Sequence, residues 1–279
     1  MRIEEAIIRP SHGAMRIDWQ ELWRFRELGL FLAWRDISVR YKQTVLGAAW
    51  AILQPVMSMI VFSVLFGRLG GMDQRTSVPY PIYVFAGLLP WTFFANAVSA
   101  SGGSLVGSAT LISRVYFPRI LVPLAAVGGG LVDFAIAFVV MLLMMVGYSI
   151  GGHSFPVGWQ VLTLPVFVLG AVVAATGVGM LISALNVSYR DFRYVIPFMI
   201  QIWLFLSPVI YPPTLVPAEW RPLLALNPMT GMIGGFRAAV LGTTLDWHSV
   251  AVGFAVAAVA FVVGAIAFQR MERRFADVI

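Results

Sequence analysis

Residues 122–150 read VPLAAVGGGLVDFAIAFVVMLLMMVGYSI, 29 consecutive positions carrying a single charge, Asp133. A helix needs roughly 20 apolar residues to cross about 30 Å of hydrocarbon, where every backbone polar group must be satisfied inside the segment. This stretch is therefore expected to cross a membrane. Five more stretches meet the same test: Thr44 to Phe66, Ile82 to Gly103, Leu162 to Leu185, Tyr194 to Tyr211 and Val250 to Phe268. The second contains Asn96, Ser99 and Ser101, and the fifth is short and contains Pro197, Gln201 and Pro208.

The whole chain has the same character. Of its 279 residues, 59% are apolar and 11% charged, with a mean hydropathy of +0.85, far from soluble composition. The net charge of +6 sits in loops beside the spans, so lipid head groups rather than nucleic acid are the expected anionic partner. Lys and Arg number 15 in the N-terminal segment, the second and fourth loops and the tail, against 4 in the other three loops. Both termini are thus expected in the cytoplasm. The absence of cysteine excludes a disulfide scaffold, thiolate metal sites and cysteine catalysis. Glu4 and Glu5, with no apolar run beside them, argue against a cleavable signal peptide.

Three segments outside the spans carry more information. From Asp18 to Gln43, Asp18 and Glu21 are spaced as a helix N-cap and its third residue, followed by Trp19, Leu22, Trp23, Leu30, Phe31 and Trp34 mixed with Arg24, Arg26 and Arg35. This reads as a helix in the cytoplasmic interface, bent at Gly29, with packing on the bundle as the other reading; the two are compatible. The loop 104–121, SLVGSATLISRVYFPRIL, is too apolar for a solvated connection and too interrupted by Arg114, Pro118 and Arg119 to span, so a docking helix for a protein partner is expected, or else a segment resting on lipid. The stretch 212–247 contains two short apolar helices broken at Asn227 and Pro228 and closed by Gly242. They are expected to dip into the membrane from outside and return, the alternative being a surface hairpin.

Catalytic signatures are missing. The single lysine, Lys42, follows no glycine-rich turn, so no Walker-type nucleotide loop exists here. His12, His153 and His248 lack zinc spacing, and neither a Gly-x-Ser-x-Gly elbow nor a DxD pair occurs. Asp133 is either paired structurally or part of a transport path, and as a lone acid it makes a poor proton relay. Trp50, Phe62, Phe66, Trp91, Phe93, Phe94, Trp203 and Phe205 suit interfacial belts and packing, while a subset near Gln54, Asn96 and Gln201 suits sugar stacking.

Five motifs in order carry a resemblance: RDISVRYKQTVLGAAWAILQP at 35–55, LISRVYFPR at 111–119, YRDF at 189–192, LSPVIYP at 206–212 and NPMTGMIGGFRAAVLG at 227–242. Together they resemble the membrane permease subunit of ABC polysaccharide exporters, which move O-antigen, capsule and teichoic-acid chains across bacterial inner membranes. Ser108 stands where family members commonly carry Asn.

The resemblance implies an all-α integral membrane protein with six transmembrane helices, an interfacial helix, a cytoplasmic coupling helix, an extracytoplasmic re-entrant pair and a homodimeric channel. The expected organisation is 1–43 for the N-terminus and interfacial helix, 44–268 for the permease domain and 269–279 for the cytoplasmic tail. ATP and Mg are expected on a separate pair of ATP-binding subunits, with no cofactor in this chain. Leu111, Ile112, Arg114, Tyr116, Phe117 and Arg119 would dock those subunits. Arg35, Arg40 and Lys42 would attract the pyrophosphate of a polyprenyl-linked glycan at the entrance. Trp50, Gln54, Phe94, Asn96, Gln201 and Trp203 would line the channel, and Trp220, Asn227 and Phe236 would form the periplasmic gate. Two other readings are a permease for a small amphiphile or drug and a membrane enzyme acting on polyprenyl-linked sugars, though the latter lacks its carboxylate pair.

Overall fold

The computed structural model describes residues 19–42, 47–156, 158–189 and 191–278. Asp18, Gln43 and the start of the first expected span lie outside these residues. Helices make up all of the regular structure described. In chain order they are α1 (Trp19–Arg24), α2 (Arg26–Lys42), α3 (Gly47–Phe62), α4 (Tyr80–Gly107), α5 (Ala109–Arg114), α6 (Leu121–Ile150), α7 (Leu164–Ser188), α8 (Phe192–Leu206), α9 (Arg221–Ala225), α10 (Pro228–Leu241) and α11 (Trp247–Val278). A π-helical stretch, Ser63–Leu69, prolongs α3.

Five segments are long and apolar enough to cross a membrane: Ala49–Leu69, Tyr80–Gly107, Leu121–Ile150, Trp159–Ser188 and Trp247–Glu272. The expected fifth span is different. Helix α8 has only 15 residues, roughly 22 Å, and gives way to non-helical chain after Leu206. Helix α11 continues past Phe268 to Val278, and Phe275 is buried edge-on against Phe268.

Helix α4 is the most enclosed span, with Ile82, Val84, Phe85, Leu89, Phe94 and Val98 all buried. Helices in lipid gain little from apolar contact as such, and close approach through small residues takes its place. The crossing of α7 and α11 shows this. A side chain at Gly264 would run into the carbonyl of Gly177, and one at Gly177 into the backbone of Ala260 and Phe261. Gly170 lies against Phe254, ten residues before Gly264 approaches Gly177, so the two helices run in the same direction. Between them, residues 189–246 must carry the chain back along the length of α7.

Helix α10 accounts for part of that return. Asn227 caps it by accepting from the Met229 amide (3.0 Å), Pro228 occupies its first turn, and Gly242 closes it at φ 67°. Its residues are buried almost all round, which marks a helix surrounded by others rather than one on a surface. Phe236 meets Phe134 and Phe138 of α6, Gly235 faces Phe167 of α7, Gly231 faces Ser249 and Val250 of α11, and Arg237 reaches α4 beside Gly87. The break at Asn227 and Pro228 falls where the sequence places it.

The N-terminal helix is interrupted at Phe25, not at Gly29. Phe25 turns inward to join Leu22, Leu28 and buried Leu32 on the bundle, whereas Gly29 lies within α2 close to Leu121 of α6. The opposite face exposes Trp23, Leu30, Phe31 and Trp34. One face thus packs on the bundle, as the second of the two readings expects, and the other presents aromatic surface beside Arg24 and Arg26.

Candidate functional site

One end of the bundle gathers α2, α5 and the loop to α6. Of the expected docking residues, Ile112 and Phe117 are 8% and 4% exposed and belong to a buried cluster with Leu32, Leu105 and Leu121, so they anchor the loop to the bundle rather than face a partner. Leu111 is half-buried. Arg119 donates from Nη1 to the Glu272 carbonyl (2.7 Å), tying the loop to α11. The free surface is narrower than expected and consists of Ser113, Arg114, Val115 and Tyr116. Tyr116, 68% exposed, extends its hydroxyl toward Glu21 (3.5 Å), and partial burial followed by that carboxylate raises its pKa.

The basic residues expected at the entrance separate into two groups. Arg40 and Tyr41 both reach Asp133 of α6, Arg40 forming an ion pair with it and Tyr41 a hydrogen bond. Asp133 is therefore paired structurally, and Arg40 is committed to it. Burial, and then the Asp133 carboxylate, push the Tyr41 phenol up to about 12, which keeps it a donor. Lys42 is exposed beyond this pair. Arg35 instead donates from Nε and Nη2 to Asp36 Oδ1 (3.0 and 2.8 Å), and its Nη2 lies 3.5 Å from Ser108 Oγ. A cleft of about 330 Å³ opens here, bordered by Arg35, Ser108, Thr110 and Arg114.

Among the expected channel residues, Trp50, Gln54, Asn96 and Gln201 are exposed on α3, α4 and α8. Phe94 is not: it is 0% exposed and meets Trp203 edge-on at 5.0 Å, so it is a core residue and cannot line a lumen. Trp203 is half-buried and donates from Nε1 to Asn227 Oδ1 (3.1 Å). Asn227 in turn donates from Nδ2 to Ser207 Oγ (2.8 Å), joining the end of α8 to the start of α10. Phe236 is also 0% exposed, enclosed by Phe134 and Phe138, which removes it from the expected gate. Trp220 is exposed.

Arg237 was not singled out by the sequence. It is buried in α10 and its guanidinium lies 3.8 Å from the centre of the Tyr83 ring. It donates to the Tyr83 carbonyl (3.1 Å), the Tyr83 hydroxyl (3.1 Å) and the carbonyls of Pro208 (2.6 Å) and Val209. Tyr80 donates to the next carbonyl, Ile210 (2.7 Å). The chain after α8 is not helical, so these carbonyls have no helical partners and the two side chains satisfy them. The available signal was one guanidinium inside an otherwise uncharged 14-residue helix.

This arrangement, apolar helices long enough to cross a membrane around a short buried helix, with no cluster of potential metal ligands among the described residues, is that of a multi-pass membrane protein. Residues 28–241 match the ABC-2 type transporter family, and the chain belongs to it. It is similar to the O-antigen export system permease protein RfbA of Myxococcus xanthus, at 29% identity over 78% of this chain and 82% of that protein. A Klebsiella pneumoniae protein of the same name is 26% identical over 88% of this chain and 92% of its own length. The polysialic acid transport protein KpsM of Escherichia coli is 25% identical over 76% and 80% respectively.

Proposed function

We propose that this chain is the transmembrane subunit of an ATP-driven exporter that moves a lipid-linked polysaccharide, O-antigen first and capsule or teichoic acid otherwise, across a bacterial inner membrane. The observation that carries the reading is the similarity to O-antigen export permeases over 78% and 88% of the chain. The chain is a permease and not an enzyme. ATP and Mg bind to two copies of a separate subunit, docked through Arg114 and Tyr116.

Six crossings place both termini in the cytoplasm, with 44–268 as the permease domain. The parallel run of α7 and α11 supports the sixth crossing, as does the satisfaction of the carbonyls at 208–210, which lets α8 and the chain after it cross together. The enclosure of α10 favours a re-entrant segment over a surface hairpin. Ala49–Leu69 is the least buried span, and it and α8 expose Trp50, Gln54 and Gln201 on faces that no other described residue covers. A second copy of the chain would meet these faces and close a polymer-wide channel between the two subunits. The glycan's hydroxyls find amide partners there, and its C–H faces find Trp50.

Reconstitution with the ATP-binding subunit tests the reading. Vesicles loaded with lipid-linked glycan on the nucleotide side should accumulate it on the other side only with ATP. Export of a small amphiphile without any glycan dependence would favour the amphiphile permease. Turnover of polyprenyl-linked sugar by the purified chain alone would favour an enzyme.

A further inference from the structure

The π-helical stretch that prolongs α3, Ser63–Leu69, is the one such stretch among the described residues. Its hydrogen bonds run from residue i to i+5 instead of i+4, so it holds one residue more than the α-ladder it interrupts. The Leu69 end is held in place. Gly67 is buried, a side chain there would run into the Tyr80 ring, and Tyr80 donates to the Ile210 carbonyl (2.7 Å). The helix on the other side of the stretch is held less, because Ala49–Leu69 is the least buried of the five spans. Ser63 opens the stretch, and its Oγ is buried with no hydrogen-bond partner among the described residues. In a regular α-helix a serine hydroxyl can donate to the carbonyl four residues back, here that of Met59. A buried hydroxyl left unsatisfied is unfavourable, and the α-form would relieve it.

Tightening this stretch to α with the Leu69 end fixed adds the twist of one residue. The helix before it then moves by one screw step, about 100° and about 1.5 Å, and each residue takes the place of the one before it. Trp50, Gln54 and Met57 lie on the exposed side of α3, whereas Ala51, Pro55 and Ser58, one position on, are half-buried or buried against the bundle. After the step these small residues stand where Trp50, Gln54 and Met57 stood. The packed place passes to Ile52, Val56 and Met59, all apolar, so no polar group is driven into the bundle. Pro55 has no amide hydrogen, which leaves the Ala51 carbonyl without its helical donor. The new face thus offers a carbonyl acceptor beside the Ser58 hydroxyl.

We propose that Ser63–Leu69 is a rotary joint, which turns α3 between a face of Trp50, Gln54 and Met57 and a face of Ala51, Pro55 and Ser58. The joint rests on the passage along α3 named under the proposed function. Ser63 is its positioning residue, because its hydroxyl gains a partner only in the turned register. In the register described here the glycan meets an aromatic ring and an amide. In the turned register it meets small side chains that hold it less, so alternation between the two populations gives grip and release.

The test uses the full chain with a cysteine-free ATP-binding subunit in nanodiscs. The chain has no cysteine of its own, so Gln54→Cys and Ser58→Cys each report alone. Labelling by a charged methanethiosulfonate is timed without nucleotide and after trapping with ADP and vanadate. Between the two states the rate at Gln54→Cys should fall at least tenfold and that at Ser58→Cys should rise at least tenfold. Arg75→Cys, exposed in the loop beyond the joint, should label equally in both. Deleting Leu65, which is half-exposed, removes the extra residue and keeps both flanks in place. That variant should label at Gln54→Cys in both states and lose glycan export. Ser63→Ala should reduce the rise at Ser58→Cys at least threefold, and Ser63→Thr, which keeps the hydroxyl, should restore it. An exchange of labelling that survives the deletion, or full export by the deletion variant, overturns the joint. So does wild-type labelling by Ser63→Ala if the deletion variant fails to elute as one complex. Unchanged labelling in a wild-type complex that exports glycan sinks the joint and leaves the transport reading intact. The full exchange in a complex that moves no glycan sinks the transport reading and leaves the joint.

Discussion

Tyr116 and Phe117 are adjacent, and replacing each with alanine should produce opposite phenotypes. Phe117 is 4% exposed and packed against Leu32, Leu105 and Ile120, so its loss leaves a cavity worth about 3–5 kcal/mol. Tyr116 is 68% exposed. Removing an exposed side chain usually changes stability by no more than about 0.5 kcal/mol. A tyrosine buries roughly 200 Å² when enclosed, so about two-thirds of that, roughly 130 Å², remains for a partner to cover. At about 25 cal/mol per Å² this is about 3 kcal/mol, and ordering the side chain takes back about 1. The remaining 2 kcal/mol corresponds to roughly a 30-fold weaker complex. Thermal unfolding in detergent and titration of the ATP-binding subunit read the two effects separately. Phe117→Ala should unfold earlier, and Tyr116→Ala should bind the subunit about 30-fold more weakly at an unchanged unfolding temperature. Tyr116→Phe should bind like wild type, because the hydroxyl contact with Glu21 is long. An early-unfolding Tyr116→Ala, or one that binds normally, refutes the division of this loop into an anchoring half and a docking half.

Three further outcomes follow from the geometry. Asp133→Ala strands a half-exposed cation and should lower stability by about 1 kcal/mol, and the exchange Arg40→Asp with Asp133→Arg should restore most of it in thermal unfolding; no recovery would mean that the pair does not fasten α2 to α6. Gly264→Leu should abolish the folded chain, seen as loss of the monodisperse peak in detergent, because its side chain would enter the Gly177 backbone, whereas Gly103→Ala has open space and should be tolerated. Asp246, which caps α11, has its pKa lowered first by the Ser249 hydroxyl, so its contribution is present above the ordinary carboxylate value near 4 and is lost as pH falls below it. Wild type should therefore lose more unfolding temperature between pH 5 and pH 3 than Asp246→Asn, and equal losses would contradict the cap.

Five of the six expected spans were legible because length and apolarity are local properties, and the break at Asn227 and Pro228 was legible because capping chemistry is local too. What the sequence hid was facing. Lipid and protein interior are both apolar, so Phe94 and Trp50 look alike as letters, although one is fully enclosed and the other exposed. The same ambiguity made Ile112 and Phe117 resemble partner contacts. Partners far apart in sequence were also hidden: Asp133 is held from 92 and 93 residues away, and Arg237 satisfies carbonyls 28 and 29 residues away. The bend was assigned to Gly29 by propensity alone, whereas Gly29 lies inside α2 and the interruption falls at Phe25.

The enclosure of α10 divides the molecule mechanically. A helix wedged among α4, α6, α7 and α11 cannot tilt without pushing all four, and Arg237 bolts it to α4 and to the chain after α8. The parts of those helices that enclose α10 consequently behave as a stator. Helix α3, whose span is the least buried of the five, carries no such brace among the described residues. If the proposed passage runs along α3 and α8, its widening would come from movement of these helices against a fixed block, so the walls that meet the cargo would also be the walls free to yield to it.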